Sequence, residues 1–298
     1  MSLFNEFLSR RIWFVTGKGG VGKTMLAAAL GNFASQFVRV LLIEINSCTH
    51  LGSLLGNAQV GYHETLLKKN LSLIQLNPQD CFHEYVLKYI RFETLYKSIF
   101  DHRFVRHFME GTPGLNELLT IGKIWDLAEG EKKYDLVIVD GPATGHSLAM
   151  LSVPDTVDHA VRMGPLKNKA HSIVQLIKDP SKMAVWIVSL CEEMPVNETI
   201  DLFLELKKIN IPVGPILANR MWPNFFTEAE SKKLKPFQAD NPILGHYFNR
   251  LDLNQTYFNQ LKSFFKNHPL VPIPHVWKAE TDAEILQQIT TYCQELTL

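Results

Sequence analysis

Residues 15–24 read Val15-Thr16-Gly17-Lys18-Gly19-Gly20-Val21-Gly22-Lys23-Thr24, and four of these ten residues are glycine. It fits the pattern G-x-x-x-x-G-K-[ST], in which a glycine-rich turn lets backbone N–H groups converge on phosphate oxygens. The apolar run 12–15 before it predicts a buried strand, and residues 25–30 after it predict a helix. The N-terminus of that helix adds the positive end of its dipole. The stretch therefore predicts a nucleotide-binding P-loop.

Two side chains of the loop have expected chemical tasks. Lys23 is expected to reach the β- and γ-phosphates of ATP, and Thr24 is expected to bind Mg²⁺. The predicted nucleotide-binding residues of the loop are Gly17, Lys18, Gly19, Gly20, Val21, Gly22, Lys23 and Thr24.

The composition indicates an ordinary globular protein. The 298 residues are 46% hydrophobic and 20% charged, and the organisation favours one domain over residues 1–298. Lys and Arg number 30 and so do Asp and Glu, so the formal net charge is zero. Without a positive field there is no electrostatic argument for a nucleic-acid partner.

The four cysteines, Cys48, Cys81, Cys191 and Cys293, are far apart and form no C-x-x-C pair. Scattered thiols and the lack of a signal peptide favour a cytoplasmic protein. No apolar run approaches the roughly 20 residues of a membrane span, so we expect no stable membrane insertion.

Apolar runs elsewhere predict further strands. They lie at residues 38–43, 136–139, 184–190, 214–219 and 270–274. Near-continuous hydrophobicity is typical of parallel strands that helices cover on both faces. Helical patterns at residues 198–209 and 228–238 lie between them. The alternation predicts an α/β fold with a doubly wound, mostly parallel sheet of the P-loop NTPase type.

Residues 62–129 interrupt this alternation, because the segment is too long for one crossover helix. We predict a helical subdomain over 62–129, inserted between two strands, whose aromatic helices favour core packing over a client groove. The positions that recur at helical spacing are Phe82, Tyr85, Val86, Tyr89 and Ile90, then Leu95, Tyr96, Ile99 and Phe100.

The apolar run 136–139 ends in Asp140, which is the Walker B arrangement. A carboxylate in this position holds Mg²⁺ through water at the carboxyl edge of the sheet, where ligands bind in open α/β folds. The chain continues with Gly141-Pro142-Ala143-Thr144-Gly145-His146-Ser147-Leu148.

Two of these motifs together resemble one family. The P-loop carries an extra lysine, Lys18, after its first glycine, and Asp140 begins a D-x-x-x-T-G-H-[ST]-L segment. Both features are similar to the ArsA family, which contains the arsenite-pump ATPase and the ATPase that targets tail-anchored membrane proteins. Weaker likenesses lie at residues 113–117, 179–180, 192, 198–199, 219 and 271–275.

The resemblance implies roles for further residues. Mg·ATP would bind between two protomers, as a homodimer or as a heterodimer with a related ATPase, and an unidentified client protein is implied. Lys18 would cross the interface to the partner's phosphates, as an arginine finger does. Asp140 to His146 would be a switch that senses the γ-phosphate, or His146 would only stabilise its turn. Asn219 would face the adenine ring, and Pro274 would belong to a loop that closes over the base.

The segment after residue 43 departs from the family. The family continues S-T-D-P-A-H-[SN]-L, and a gap-free placement puts Asn46 on the aspartate that orients the attacking water. An amide can hold a water but cannot accept its proton. We therefore predict catalytic positions at Lys18, Asn46 and Asp140 and expect ATP hydrolysis to be slow. Glu44 is a nearby carboxylate that need not point at the same place.

Two rival functions remain open at this point. One is a nearly inactive, nucleotide-gated regulatory subunit that pairs with an active relative, which Asn46 favours. The other is a ParA- or MinD-like partitioning ATPase, but residues 282–298 contain no Lys or Arg to attract anionic lipid. The unpaired cysteines give little support to metalloid binding, and Met109 is the only methionine in 62–129 that could serve a client groove.

Overall fold

A single sheet of eight strands organises the described part of this computed structural model, which covers residues 3–45, 50–56, 60–89, 111–130 and 132–295. The strand order is β3-β4-β2-β5-β1-β6-β7-β8, and β3 alone is antiparallel to its neighbour. The strands are β1 (Ile12–Gly17), β2 (Val40–Ile45), β3 (Thr65–Lys68), β4 (Leu71–Leu76), β5 (Leu136–Ala143), β6 (Met183–Leu190), β7 (Val213–Met221) and β8 (Leu270–Pro274). The predicted α/β, doubly wound and mostly parallel sheet is confirmed.

Helices cover both faces of this sheet. They are α1 (Leu3–Leu8), α2 (Lys23–Ala34), α3 (His50–Leu54), α4 (Pro78–Tyr89), α5 (Leu115–Trp125), α6 (Thr144–Ala160), α7 (Pro165–Lys178), α8 (Glu193–Lys208), α9 (Glu228–Leu234), α10 (Pro242–Phe264) and α11 (Asp282–Glu295). A π-helical turn follows α5 at Asp126–Gly130, and a 3-10 turn follows α9 at Lys235–Gln238. Within the described ranges, no helix is long and apolar enough to cross a bilayer.

The central strand β1 shows why the apolar runs are continuous. Ile12 and Phe14 pack into one core cluster, with side chains of α5, α6, α7 and α8. Trp13 and Val15 pack into a second cluster on the opposite face, with α2 and α11. All four side chains are at most 1% exposed. Because a strand turns alternate residues to opposite faces, burial of both faces requires apolar residues at every position.

The predicted start of the helical subdomain at residue 62 is wrong. Residues 65–68 and 71–76 are β3 and β4, and β4 pairs in parallel with β2 at the edge of the sheet. Leu73 packs into one core cluster and Ile74 into the other, and both are at most 4% exposed, so this run is a strand buried on both faces like the others. Asn70, in the turn between β3 and β4, has φ 65, a conformation that asparagine tolerates.

The rest of the predicted subdomain is helical where it is described. Helices α4 and α5 and the π-helical turn after α5 cover residues 78–89 and 115–130, with a turn at 112–114 before α5, and Phe82 and Val86 of α4 are buried. Ile90, Leu95, Tyr96, Ile99 and Phe100 lie outside the described residues. Strands β3 and β4 thus lie inside the predicted span 62–129, and a helical insertion over the residues after β4 stays a prediction.

Candidate functional site

The glycines of the P-loop leave an open cradle at the carboxyl end of β1. Gly20 and Gly22 have φ 82 and φ 93, in the left-handed region that favours glycine. No atom lies within 4 Å of a Cβ placed on Gly19 or Gly20, whereas a Cβ on Gly17 would lie 2.1 Å from the Val188 carbonyl oxygen. The loop is thus packed against β6 at its start and open at its tip, which leaves room for a phosphate group.

Helix α2 begins at Lys23, directly after this loop. Gly22 precedes it and provides no side-chain cap, so no side chain of that residue occupies the first N–H groups of the helix. The 12-residue helix directs the positive end of its dipole toward the cradle. Free backbone donors and a helix dipole at one place can hold an anion.

Lys23 and Lys18 interact inside the loop. The Lys23 ammonium donates a hydrogen bond to the Lys18 carbonyl oxygen at 3.0 Å. Burial lowers the pKa of Lys23, and the charge of Asp140 opposes that effect. The ammonium group of Lys23 thus lies among the loop carbonyls and close to a carboxylate, where it can turn to a bound phosphate.

The side chains of Asp140 and Thr24 are in contact beside the P-loop. The carboxyl group of Asp140 is 9% exposed and is hydrogen-bonded to the Thr24 side chain, while its Oδ1 atom has no hydrogen-bond partner. Burial raises the pKa of Asp140 to about 6, against the effects of Thr24 and Lys23. A hydroxyl group beside a carboxylate with a free oxygen fits Mg²⁺, which is held by one or two carboxylates together with substrate phosphates. Strand β5 continues to Ala143, so Asp140 lies inside the strand and not at its predicted end.

Glu44 lies in β2, opposite Asp140 in β5. Its Oε1 atom accepts hydrogen bonds from the backbone N–H groups of His50 at 2.8 Å and Leu51 at 3.2 Å. Its Oε2 atom is buried and has no hydrogen-bond partner. Burial raises the pKa of Glu44, and the two backbone hydrogen bonds oppose that rise. The sequence left the direction of this carboxylate open, and the parallel register puts it beside Asp140.

Asn46 and Cys48 lie outside the described residues, so the placement of Asn46 on the family's catalytic position stays a prediction. In the part of the chain that the structure describes, no group of three or more His, Cys, Asp or Glu side chains could hold a metal ion. A magnesium site here depends on Thr24, the strand carboxylates and the phosphates of a ligand.

Lys18 does not point into the cradle of its own loop. Its ammonium group forms an ion pair with Glu198 of α8, and the two side chains are 27% and 36% exposed. Sequence reasoning noted residue 198 only as a weak likeness and missed this contact. No local pattern predicts it, because the two residues are 180 positions apart.

Asn219 lies under the P-loop. Its side-chain amide group donates to the Val21 carbonyl oxygen at 2.8 Å, and its Oδ1 atom accepts from the Arg220 N–H group at 2.9 Å. The residue is 4% exposed. These bonds tie the end of β7 to the loop, which is a structural role that sequence reasoning missed.

Asn219 also borders a cavity of about 160 Å³ that opens to solvent at the ends of β6 and β7. The other lining residues are Leu190, Cys191, Glu192, Arg220, Trp222, Arg250, Leu253, Asn254 and His275. Pro274 is not among them, because it belongs to the edge strand β8 and pairs with Met221. The predicted loop over the base therefore begins at His275, and contact of Pro274 with a base stays a prediction.

The segment after Asp140 is fixed to β1 through Ser147. The Thr16 hydroxyl group is hydrogen-bonded to Ser147 Oγ at 2.7 Å, and Ser147 donates to the Pro142 carbonyl oxygen at 2.8 Å. His146 is exposed and borders a depression that also contains Asn116 of α5. The described side chain that stabilises this turn is thus Ser147, and His146 remains available at the surface.

A second, largely apolar cavity lies between α4, α5 and α7, apart from the P-loop. Its lining residues include Cys81, Phe82, Leu115, Leu118, Leu119 and Ile173. Phe82 and Ile173 are buried, in agreement with core packing, but the three helices leave a cavity of about 190 Å³ that opens to solvent.

Comparison with known proteins identifies similar chains. A family model described as "Anion-transporting ATPase" (ArsA_ATPase) matches residues 10–176 and 162–293. The "ATPase BagA" of Mycobacterium tuberculosis is 28% identical over 241 residues, which cover 77% of this chain and 71% of that protein. The "ATPase ASNA1 homolog" of Plasmodium berghei is 23% identical over 335 residues, with coverage of 95% and 86%.

Proposed function

This chain belongs to the anion-transporting ATPase (ArsA) family, and we propose that it binds Mg·ATP at residues 17–24 and Asp140 and hydrolyses it slowly. One observation carries the proposal. The open glycine cradle ends at a helix N-terminus, beside Asp140, whose Oδ1 atom is buried without a partner. A bound phosphate would accept hydrogen bonds from the N–H groups at the helix N-terminus, and its divalent cation would bind Oδ1 of Asp140.

Each residue of the site has a task in this proposal. The backbone N–H groups of the glycine loop bind the phosphate oxygens, and Lys23 turns from the Lys18 carbonyl oxygen to the β- and γ-phosphates. Thr24 and Asp140 hold Mg²⁺, which neutralises charge on the phosphates when bound. Asn219 keeps the loop in its binding conformation through Val21.

The rate of hydrolysis depends on the group that positions water. If Asn46 occupies that place, the amide orients the water without accepting its proton, so turnover is slow. The same residue supports the second candidate function, a regulatory subunit that binds ATP and is nearly inactive. A single-turnover assay separates the two, because a regulatory subunit retains intact ATP.

We also propose that two protomers assemble around the nucleotides, either two copies of this chain or this chain and a related ATPase. Lys18 would then exchange its ion pair with Glu198 for the partner's phosphates. The client or cargo stays open, and a cytoplasmic location is part of the proposal.

Calorimetric titration of ATP in the presence of Mg²⁺ tests the nucleotide site. We expect one site per chain, and we expect Asp140→Asn to weaken binding in Mg²⁺ more than in EDTA. Absence of ATP binding by the parent protein rejects the proposal. Phosphate release at a rate typical of active ATPases agrees with the proposed nucleotide site. It contradicts the proposal that hydrolysis is slow.

A further inference from the structure

Glu44 and Asp140 are neighbours across two parallel strands. They are register partners in β2 and β5, and neighbouring strands lie about 4.8 Å apart. Glu44 is the last residue but one of β2, and Asp140 lies inside β5, where it is the register partner of Val15, two residues before the end of β1. The fold therefore puts a second carboxylate beside the one already expected to hold Mg²⁺.

Both carboxylates have an oxygen atom that no described group satisfies. Glu44 is 3% exposed and its Oε2 atom has no hydrogen-bond partner, and the same is true of Oδ1 of Asp140, which is 9% exposed. A buried charged oxygen without a partner costs free energy, and two like charges side by side add to that cost. Lys23 and His50 act on Asp140 electrostatically, but neither donates a hydrogen bond to these two oxygen atoms.

We propose that Glu44 is the second acidic residue of the magnesium site and binds the hydration shell of the ion that Thr24 and Asp140 hold. This inference rests on the proposed function. Mg²⁺ dehydrates reluctantly and keeps several waters, so a carboxylate beside a ligand can act through them. Glu44 supplies the free Oε2 atom for this purpose.

The other oxygen of Glu44 connects this site to the chain beyond it. Oε1 holds the N–H groups of His50 and Leu51, which begin α3 after residues 46–49. The Glu44 carboxylate thus connects the proposed magnesium site to His50 and Leu51, which follow the segment 46–49 in the chain. Charge at Glu44 therefore acts on both the ion and the start of α3.

Glu44→Gln tests this role with little change of shape. The amide oxygen can still accept from His50 and Leu51, but the charge is lost. The measurement is the Mg²⁺ concentration that gives half-maximal binding of a fluorescent ATP analogue to the full chain. We expect this concentration to rise about 10–100-fold, as for other residues that support metal ligands. Binding of the analogue in EDTA should be unchanged or tighter.

Asp135→Asn is the matched control. Asp135 precedes the opposite end of β5 and pairs with Arg39, so its loss should leave the Mg²⁺ requirement unchanged. In EDTA without nucleotide, Glu44→Gln should unfold at a higher temperature than the parent, because it removes one of two adjacent like charges.

An unchanged Mg²⁺ requirement in Glu44→Gln overturns the inference about Glu44. It does not contradict the proposed nucleotide site. A variant that is less stable than the parent in EDTA, or fails to fold, also overturns it, because Glu44 would then be a structural residue. If the parent binds no ATP analogue at all, the proposed function fails and takes this inference with it.

Discussion

Lys18 of the P-loop and Glu198 of helix α8 form an ion pair within one chain. The lysine that the family resemblance assigns to a partner's phosphates is therefore held by its own protomer in this conformation. A partly exposed pair of this kind contributes about 1 kcal/mol, so a phosphate group can replace the carboxylate at little cost. The pair therefore competes with any contact that Lys18 makes across an interface.

Glu198→Gln should favour nucleotide-dependent dimers, and Lys18→Ala should weaken them while ATP affinity of the monomer stays nearly the same. The first change releases the lysine, and the second removes it. Light scattering with a non-hydrolysable ATP analogue measures both. Lys208→Ala, which removes a partner of Glu205 on the same helix, is the control. An equal monomer–dimer balance in parent and Lys18→Ala argues against a role across the interface.

Lys23→Ala should abolish measurable ATP binding, because it removes the charge expected on the β- and γ-phosphates. Isothermal titration calorimetry measures the affinity. Lys232→Ala, an exposed residue of α9, is the control and should bind ATP as the parent does. Equal affinities of Lys23→Ala and parent would refute the assignment of the loop.

Asp140→Asn should stabilise the protein at neutral pH when Mg²⁺ and nucleotide are absent. The pKa of Asp140 is raised to about 6 from 3.8, so the folded state binds more protons than the unfolded state between these values. Its contribution to the free energy of unfolding therefore falls as the pH rises from 4 to 6. The rise in pKa corresponds to about 3 kcal/mol.

Denaturant unfolding in EDTA across this pH range measures the effect. Parent and Asp140→Asn should differ least near pH 4 and most above pH 6, where the variant is the more stable. A constant difference over the whole range would show that Asp140 does not titrate in this window.

Asn219→Ala should loosen the P-loop, because the Val21 carbonyl oxygen loses its buried donor. We expect the free energy of unfolding to fall by about 1–3 kcal/mol. Binding of inorganic triphosphate distinguishes this role from contact with the base. Weaker triphosphate binding in the variant supports the role in the loop, whereas a loss limited to ATP assigns Asn219 to the adenine ring.

Asn46→Asp should raise kcat, because a carboxylate in that position can take the proton of the attacking water. General-base assistance contributes about 10²–10⁴-fold. The gain should appear in kcat more than in KM, since the interaction belongs to the transition state. Steady-state phosphate release measures both constants. A vigorous parental ATPase that this substitution does not improve would show that Asn46 is placed wrongly.

Features that depend on neighbouring residues can be predicted from the amino-acid sequence. The glycine pattern at 17–24 predicts the turn between β1 and α2, and apolar runs predict strands wherever both faces are buried. Asp140 was found as a carboxylate at the end of such a run. These are local signals, because the residue types at consecutive positions determine the backbone conformation of a turn and the burial of a strand.

Contacts between residues that are distant in the chain depend on the folded sheet and cannot be predicted from spacing. Lys18 and Glu198 are 180 positions apart, and Asn219 reaches Val21 across 198 positions, so no spacing rule links either pair. The same holds for Glu44 and Asp140, which adjoin because β2 and β5 pair in one register. The sequence of β4 does not distinguish a strand from part of a helical insertion, because a short apolar run fits both structures until a neighbouring strand pairs with it. Register and strand order are properties of the whole sheet, and they bring the carboxylates of Glu44 and Asp140 together.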